Sequence, residues 1–126
     1  MISHVSLGVR EFAKSAPFYD AILDPLGYPR VADTKPNELA YGPPGAALFW
    51  LYEMPGEGSL ASPGTHIALQ VETREGLHRA AAAAKELGSI FTREPGAHPD
   101  IDPDYYGAIF FDPDAHKIEL VVEGRS

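Results

Sequence analysis

The chain of 126 residues writes one pattern twice, and that repeat restricts the fold more than any local propensity does. Thr65-His-Ile-Ala-Leu-Gln-Val71 lies over Ser3-His-Val-Ser-Leu-Gly-Val9, sixty-two places on. His66 falls on His4, Leu69 on Leu7 and Val71 on Val9. Ile2 to Val9 alternates, so Ser3, Val5, Leu7 and Val9 share one face while His4, Ser6 and Gly8 share the other. A helical pattern follows in each copy. In Glu11 to Leu26 the spacing of Phe12, Ala16, Tyr19, Ile22, Leu23 and Leu26 predicts a helix that Gly27 stops. Pro17 is expected in its first turn, where a missing N–H costs little, and Pro25 should disturb its last. In the second copy Thr73 is the expected N-cap, Ala80 to Ala84 are strong helix formers, and Gly88 ends the helix after Leu87.

Three strands are expected after each helix. In the first copy they are Tyr28 to Asp33, Glu38 to Tyr41 and Ala46 to Tyr52. In the second they are Ser89 to Arg93, Ile109 to Phe111 and Ile118 to Val122, with a Pro-rich loop from Glu94 to Asp104. An ungapped overlay of Leu39–Glu53 on Ile109–Glu123, seventy places on, puts Leu48 on Ile118 and Phe49 on Glu119. The reading is an α+β chain of two β-α-β-β-β modules, about residues 1–53 and 64–123 of one domain spanning 1–126, joined by a linker at 54–63. Neither module buries enough surface to be comfortable alone. Their open sheet faces should pair about a pseudo-twofold axis, within one chain or between two. A homodimer is expected, because Ala46 to Tyr52 is apolar enough to leave an exposed patch otherwise.

Composition removes several function classes. The net charge is −8 and no basic stripe occurs, so nucleic acid and anionic membrane are not expected partners. The longest apolar run, Ala46 to Tyr52, is far short of the roughly 20 residues a membrane helix needs. Cysteine is absent, which excludes disulfides, thiolate ligands and a cysteine nucleophile. That suits a reducing cytoplasm, and a strand pattern beginning at Ile2 leaves no room for a signal peptide.

Glu119 breaks the apolar run of the last strand and points to the face opposite Ile118 and Leu120. Burying such a carboxylate is costly unless it is paired or holds a metal; a wet face would leave it without significance. If the modules pair about a twofold, His4 and His66 meet across the axis and converge with Glu119. Two imidazoles and one carboxylate with open positions suit divalent iron, manganese, nickel or zinc. His98 sits in the long loop ahead of Tyr105 and Tyr106, where loops of that length are often functional. His78 is expected to be solvated, and His116, in the turn Asp112-Pro-Asp-Ala-His116, structural or exposed.

These motifs resemble the vicinal oxygen chelate superfamily, which includes glyoxalase I, bleomycin-resistance proteins, fosfomycin-resistance proteins and extradiol dioxygenases. The likeness rests on the opening His-x-x-Leu-x-Val with Phe18-Tyr19 after it, on Gly64-Thr-His-Ile-Ala-Leu69, on Phe91-Thr-Arg-Glu94 and on Asp112-Pro-Asp-x-x-Lys-Ile-Glu-Leu120. It implies paired βαβββ modules whose mixed sheets form a partly open barrel around a central cavity. It also implies a divalent metal at His4, His66 and Glu119, with Glu119 catalytic and the metal acting as Lewis acid on adjacent substrate oxygens. Phe49, Trp50, His98, Tyr105 and Tyr106 are the expected substrate-binding residues, for a small oxygen-rich or aromatic molecule. Isomerase or lyase chemistry and oxygen insertion at iron both remain open. So does a drug- or metabolite-sequestering protein of the bleomycin-resistance kind, which needs no catalysis. Two departures speak against a true glyoxalase I. The overlay puts Phe49 where that enzyme has a fourth ligand, and Gly8 stands where it has an arginine for the glutathione carboxylate.

Overall fold

The computed structural model describes residues 1–31 and 34–122. In chain order the strands are β1 (Val5–Val9), β2 (Glu38–Tyr41) and β3 (Phe49–Glu53), then β4 (His66–Val71), β5 (Phe91–Ala97), β6 (Tyr106–Phe111) and β7 (Lys117–Val122). Helix α1 (Phe12–Leu23) follows β1 and helix α2 (Arg74–Glu86) follows β4. One sheet has the order β1-β3-β2 and the other β4-β7-β6-β5. In each, the first strand runs parallel to the last strand of its module, and the remaining pairings are antiparallel. The architecture is α+β, two modules with mixed sheets and no closed barrel.

Several element boundaries differ from the sequence reading. The expected strand at Tyr28 to Asp33 is reduced to a single bridge between Arg30 and Tyr41, with Ala32 and Asp33 outside the described residues. Pro29 has no N–H to give a ladder. β3 starts at Phe49 because Ala46 to Leu48 complete the turn after Tyr41, where Ala46 N–H donates to the Pro43 carbonyl at 3.0 Å. Pro17 lies past the first turn of α1. Ala13, whose carbonyl loses its helical donor, is exposed, as is Pro17, so water can replace the bond. The last turn does change character: a 3-10 turn over Asp24–Leu26 ends at Gly27 with φ 81°. β5 runs four residues beyond Arg93, with its register shifted between Phe91 and Arg93 and again before Gly96.

The core follows from alternation. Val9, Phe49, Leu51, Val71, Phe110, Ile118 and Leu120 are buried and face the helices, where they meet Phe18, Tyr19, Ile22, Leu77, Ala80 and Ala84. The two helices pack on each other within the chain. The turn between β6 and β7 ties the modules together. Asp112 accepts from the Tyr19 hydroxyl at 2.6 Å and from the N–H groups of Asp114 and His116 at 2.9 and 2.8 Å. Asp114 accepts from Arg10 N–H at 3.2 Å and from the Ser15 hydroxyl at 3.3 Å. His116 places Nε2 2.7 Å from the Gly8 carbonyl, so that nitrogen carries the proton. His116 is therefore structural. Burial pushes the Asp112 carboxyl up from its ordinary value, with the Tyr19 bond, the His116 charge and the backbone donors working the other way.

Candidate functional site

Packing on the helix sides leaves the second face of each sheet pointing away from the core. In β4 that face carries His66, Ala68 and Gln70, and in β7 it carries Lys117, Glu119 and Val121. β4 and β7 run in register with Ala68 opposite Glu119, two residues along from His66 opposite Lys117. The His66 Nε2 lies 3.1 Å from Glu119 Oε1, the imidazole side chain 44% exposed and the carboxylate 14%. Glu119 Oε2 accepts from the Tyr105 hydroxyl at 2.8 Å. Burial first, then that hydrogen bond and the Glu119 charge, raise the Tyr105 phenol above its ordinary value, with Arg93 acting weakly against them. Tyr105 thus stays protonated and fixes the rotamer of the carboxylate. Its ring reaches Glu119 by crossing Gly107. A Cβ there would lie 2.7 Å from the Tyr105 hydroxyl oxygen and would also collide with the Leu120 carbonyl.

The remaining expected site residues separate into two groups. His4 is exposed on the corresponding face of the first sheet, its Nδ1 2.9 Å from the Ser3 hydroxyl. Among the described residues, no three His, Cys, Asp or Glu side chains are grouped so as to hold one metal ion. His66 and Glu119 meet within the chain, and His4 does not join them there. Tyr106 alternates away from Tyr105. Its hydroxyl lies 2.7 Å from His78 Nε2 and its ring under the Arg74 guanidinium at 4.1 Å, on the α2 side of the sheet. His98 is exposed, its Nε2 2.6 Å from the Glu94 carbonyl and its ring 5.9 Å from that of Tyr105.

Strand register also moves the residue equivalent to Glu119. Val5 pairs with Phe49 in the first sheet and its counterpart Ile67 pairs with Ile118 in the second. The structural offset between the modules is thus sixty-nine in these strands, so Phe49 matches Ile118 and Trp50 matches Glu119. Phe49 is 4% exposed and packs on Tyr19 at 5.2 Å between ring centres. Trp50 lies on the open face, stacked on Tyr52 at 6.3 Å with planes 16° apart. A one-residue slip turns a side chain to the other face, which is how the ungapped overlay exchanged these two. Neither residue is a metal ligand. Gly8, also on this face, is covered by the linker: a Cβ there would meet Met54 Sδ at 2.7 Å. Arg10 holds the linker down by donating to the carbonyls of Met54 and Gly58 at 2.6 and 2.7 Å.

Arg93 shares the face of Glu119, a placement that the alternation pattern did not single out. The register shift in β5 sets it opposite Ile109, which is itself opposite Glu119. Its guanidinium grips Asp100 with both branches, at 2.9 and 2.7 Å. In a single chain this face is open. The hollow beside His66, lined also by Leu7, Ser62 and Lys117, holds only about 20 Å³. A hollow of about 530 Å³ lies elsewhere, beside α1, where Asp20 already accepts from Arg30 and Tyr41.

The model of the Glyoxalase/Bleomycin resistance protein/Dioxygenase superfamily matches residues 1–120. No curated protein sequence matches the chain. Among solved structures, a glyoxalase/bleomycin resistance protein from Albidiferax ferrireducens superposes with a TM-score of 0.80 at 29% identity, covering 96% of this chain and 98% of that one. A glyoxylase/bleomycin resistance protein/dioxygenase domain from a Frankia species gives 0.72 at 25% identity, covering 97% and 96%. The genomically encoded fosfomycin resistance protein of Listeria monocytogenes gives 0.69 at 22% identity, covering 98% and 93%, which is a likeness of fold. With two repeated modules, each a strand, a helix and further strands in a mixed sheet, and a match that spans nearly all of both, the chain belongs to the vicinal oxygen chelate, or glyoxalase/bleomycin resistance/dioxygenase, superfamily.

Proposed function

We propose that this protein is a divalent-metal-dependent enzyme acting on a small oxygen-rich or aromatic molecule. The reading takes the ion to be held by His66 and Glu119 of one chain and His4 of a second copy. The observation that carries it is the His66–Glu119 pair. A separation of 3.1 Å suits two donors that share one ion at bonds of about 2.0–2.2 Å each. An imidazole and a carboxylate are also a borderline donor set that iron, manganese, nickel or zinc accepts. When bound, the ion supplies Lewis acidity toward adjacent oxygens of the substrate.

The chain's own groups do the rest. Tyr105 holds Glu119 in place by donating to Oε2. With Oε2 engaged, Oε1 is the carboxylate atom that faces a ligand. His4 and His66 occupy the same repeat position, each one residue before a core-facing residue, Val5 and Ile67. Both imidazoles therefore stand on open faces, and a twofold contact between copies brings such faces together. Trp50 and Tyr52 offer a stacked aromatic wall on the first sheet. That wall, with two donors brought together among the described residues of one chain, also favours a second reading: a small-molecule binding protein without catalysis.

Metal analysis of protein purified without an affinity tag separates the two. Retained stoichiometric metal supports the enzyme reading, whereas none, with aromatic ligands still bound, supports sequestration. The shared site has its own test. His4→Ala and His66→Ala chains should each fail to retain metal, and a refolded mixture should regain it in the mixed dimers. A clean monomer in sedimentation at micromolar concentration, or a mixture without metal, removes the shared site.

A further inference from the structure

We propose that Arg93 is the anion-recognition residue of this face, and that Asp100 occupies in the free protein the place taken by a substrate carboxylate. The inference rests on the reading of His66, Glu119 and Tyr105 as the substrate face. Two observations carry it. First, Arg93 stands in the same cross-strand row as Glu119, two strands away through Ile109, a backbone separation of about 10 Å. Long side chains on one face close most of that distance, so a molecule with a few atoms between its carboxylate and its reacting oxygens spans both. Second, the fork is already shaped to a carboxylate, since its two branches meet the two Asp100 oxygens.

Asp100 is a replaceable partner. It sits in the loop of residues 98–105 between β5 and β6, held by backbone bonds such as Ile101 N–H to the His98 carbonyl at 3.0 Å, and its side chain is 62% exposed. An exposed ion pair is weak because water screens it, so an incoming carboxylate competes with it on near-equal terms. Glu119 stands in the same cross-strand row, Asp102 and Asp104 follow Asp100 in the loop, and Glu94 is paired with Lys85 of α2. In a chain of net charge −8, Arg93 is a cation in the row of Glu119 that an anionic group can reach.

The test uses metal-free full-length protein, so that no chelated ion can bind the probe. Benzoate, benzamide and phenylphosphonate are titrated by ligand-observed NMR. Benzoate should bind and benzamide should not. Arg93→Gln should abolish benzoate binding, and Arg93→Lys should weaken it several-fold, because an ammonium lacks the planar fork. Asp100→Asn should tighten benzoate about two- to five-fold, the advantage an exposed pair withholds from a competitor. Phenylphosphonate binding more tightly than benzoate would assign the fork to tetrahedral anions and overturn the carboxylate class. If the pair only ties the turn to β5, Asp100→Asn lowers the melting temperature and leaves benzoate affinity unchanged, which also overturns the proposal. Asp100→Asn decides the matter even if Arg93→Gln fails to fold. Failure of the metal site leaves these titrations intact, and failure here leaves metal retention intact.

Discussion

Tyr19→Phe tests how strongly the two modules are joined, because it removes one oxygen and little else. The Tyr19 side chain is fully buried, and its ring contacts with Phe18, Tyr41 and Phe49 survive in phenylalanine. What disappears is a 2.6 Å hydrogen bond to the Asp112 carboxylate. Hydrogen bonds to charged groups contribute about 1.5–3 kcal/mol, and the substitution should cost that much, since the buried oxygen is left with no replacement donor. For a chain of this length about 1 kcal/mol moves the melting temperature by roughly 3–5 °C, so a fall of roughly 5–15 °C is expected. The pH dependence has a definite sign. Burial holds the Asp112 pKa above its unfolded value, so the folded state keeps that proton longer. Its stabilising contribution is complete below the unfolded carboxylate value of about 3.9 and is lost as pH rises through the folded value. Tyr19 lowers that folded value, and losing it raises the value further. The deficit of Tyr19→Phe should therefore be larger near pH 7 than near pH 4. Urea denaturation of both proteins at the two pH values measures it. A neutral-pH deficit under about 0.5 kcal/mol, or one that grows in acid, refutes the argument.

Gly107→Ala should cost about 1–3 kcal/mol by overpacking and push Tyr105 off Glu119; thermal melting reads the first effect. Tyr105→Phe leaves the backbone alone and should weaken metal retention about 10–100-fold, as loss of a carboxylate-orienting partner does, with equilibrium dialysis against zinc as the readout. Methylglyoxal with glutathione should turn over little faster than a metal-only blank. Trp50 occupies the position equivalent to Glu119, and the linker fills the space over Gly8. A metal-dependent rate that vanishes in Glu119→Gln would defeat that expectation.

The module architecture was legible because a repeat repeats its partners. Once His4 and His66 are matched, a strand, a helix and a returning parallel strand follow in both copies, and the structure has them. Local chemistry fell short where tertiary partners decide. Nothing near Asp112 or His116 in the chain announces Tyr19, Ser15 or Gly8, which lie about a hundred residues away. Arg93 was hidden by a bulge. Strict alternation from Phe91 would have kept it on the helix side, and one shifted residue turns it to the face of Glu119.

Period-two reasoning identifies faces, but it has no power over which faces meet. The overlay that put Phe49 opposite Glu119 was wrong by one residue, and in a strand one residue is the whole distinction between core and open face. The same limit applies to His4. The repeat says that it and His66 are equivalent, and equivalence is satisfied whether the modules turn their open faces or their helix faces toward each other. Burial resolves this within the chain. Phe18, Tyr19, Ile22 and Leu23 on α1 and Leu77, Ala80 and Ala84 on α2 join the inner sheet residues of both modules in one buried cluster, and the helices also contact each other, so the helix sides meet. The open faces, with His4 on one and His66 and Glu119 on the other, are left outward by that same packing. For this reason the proposed site takes its third donor from a second copy.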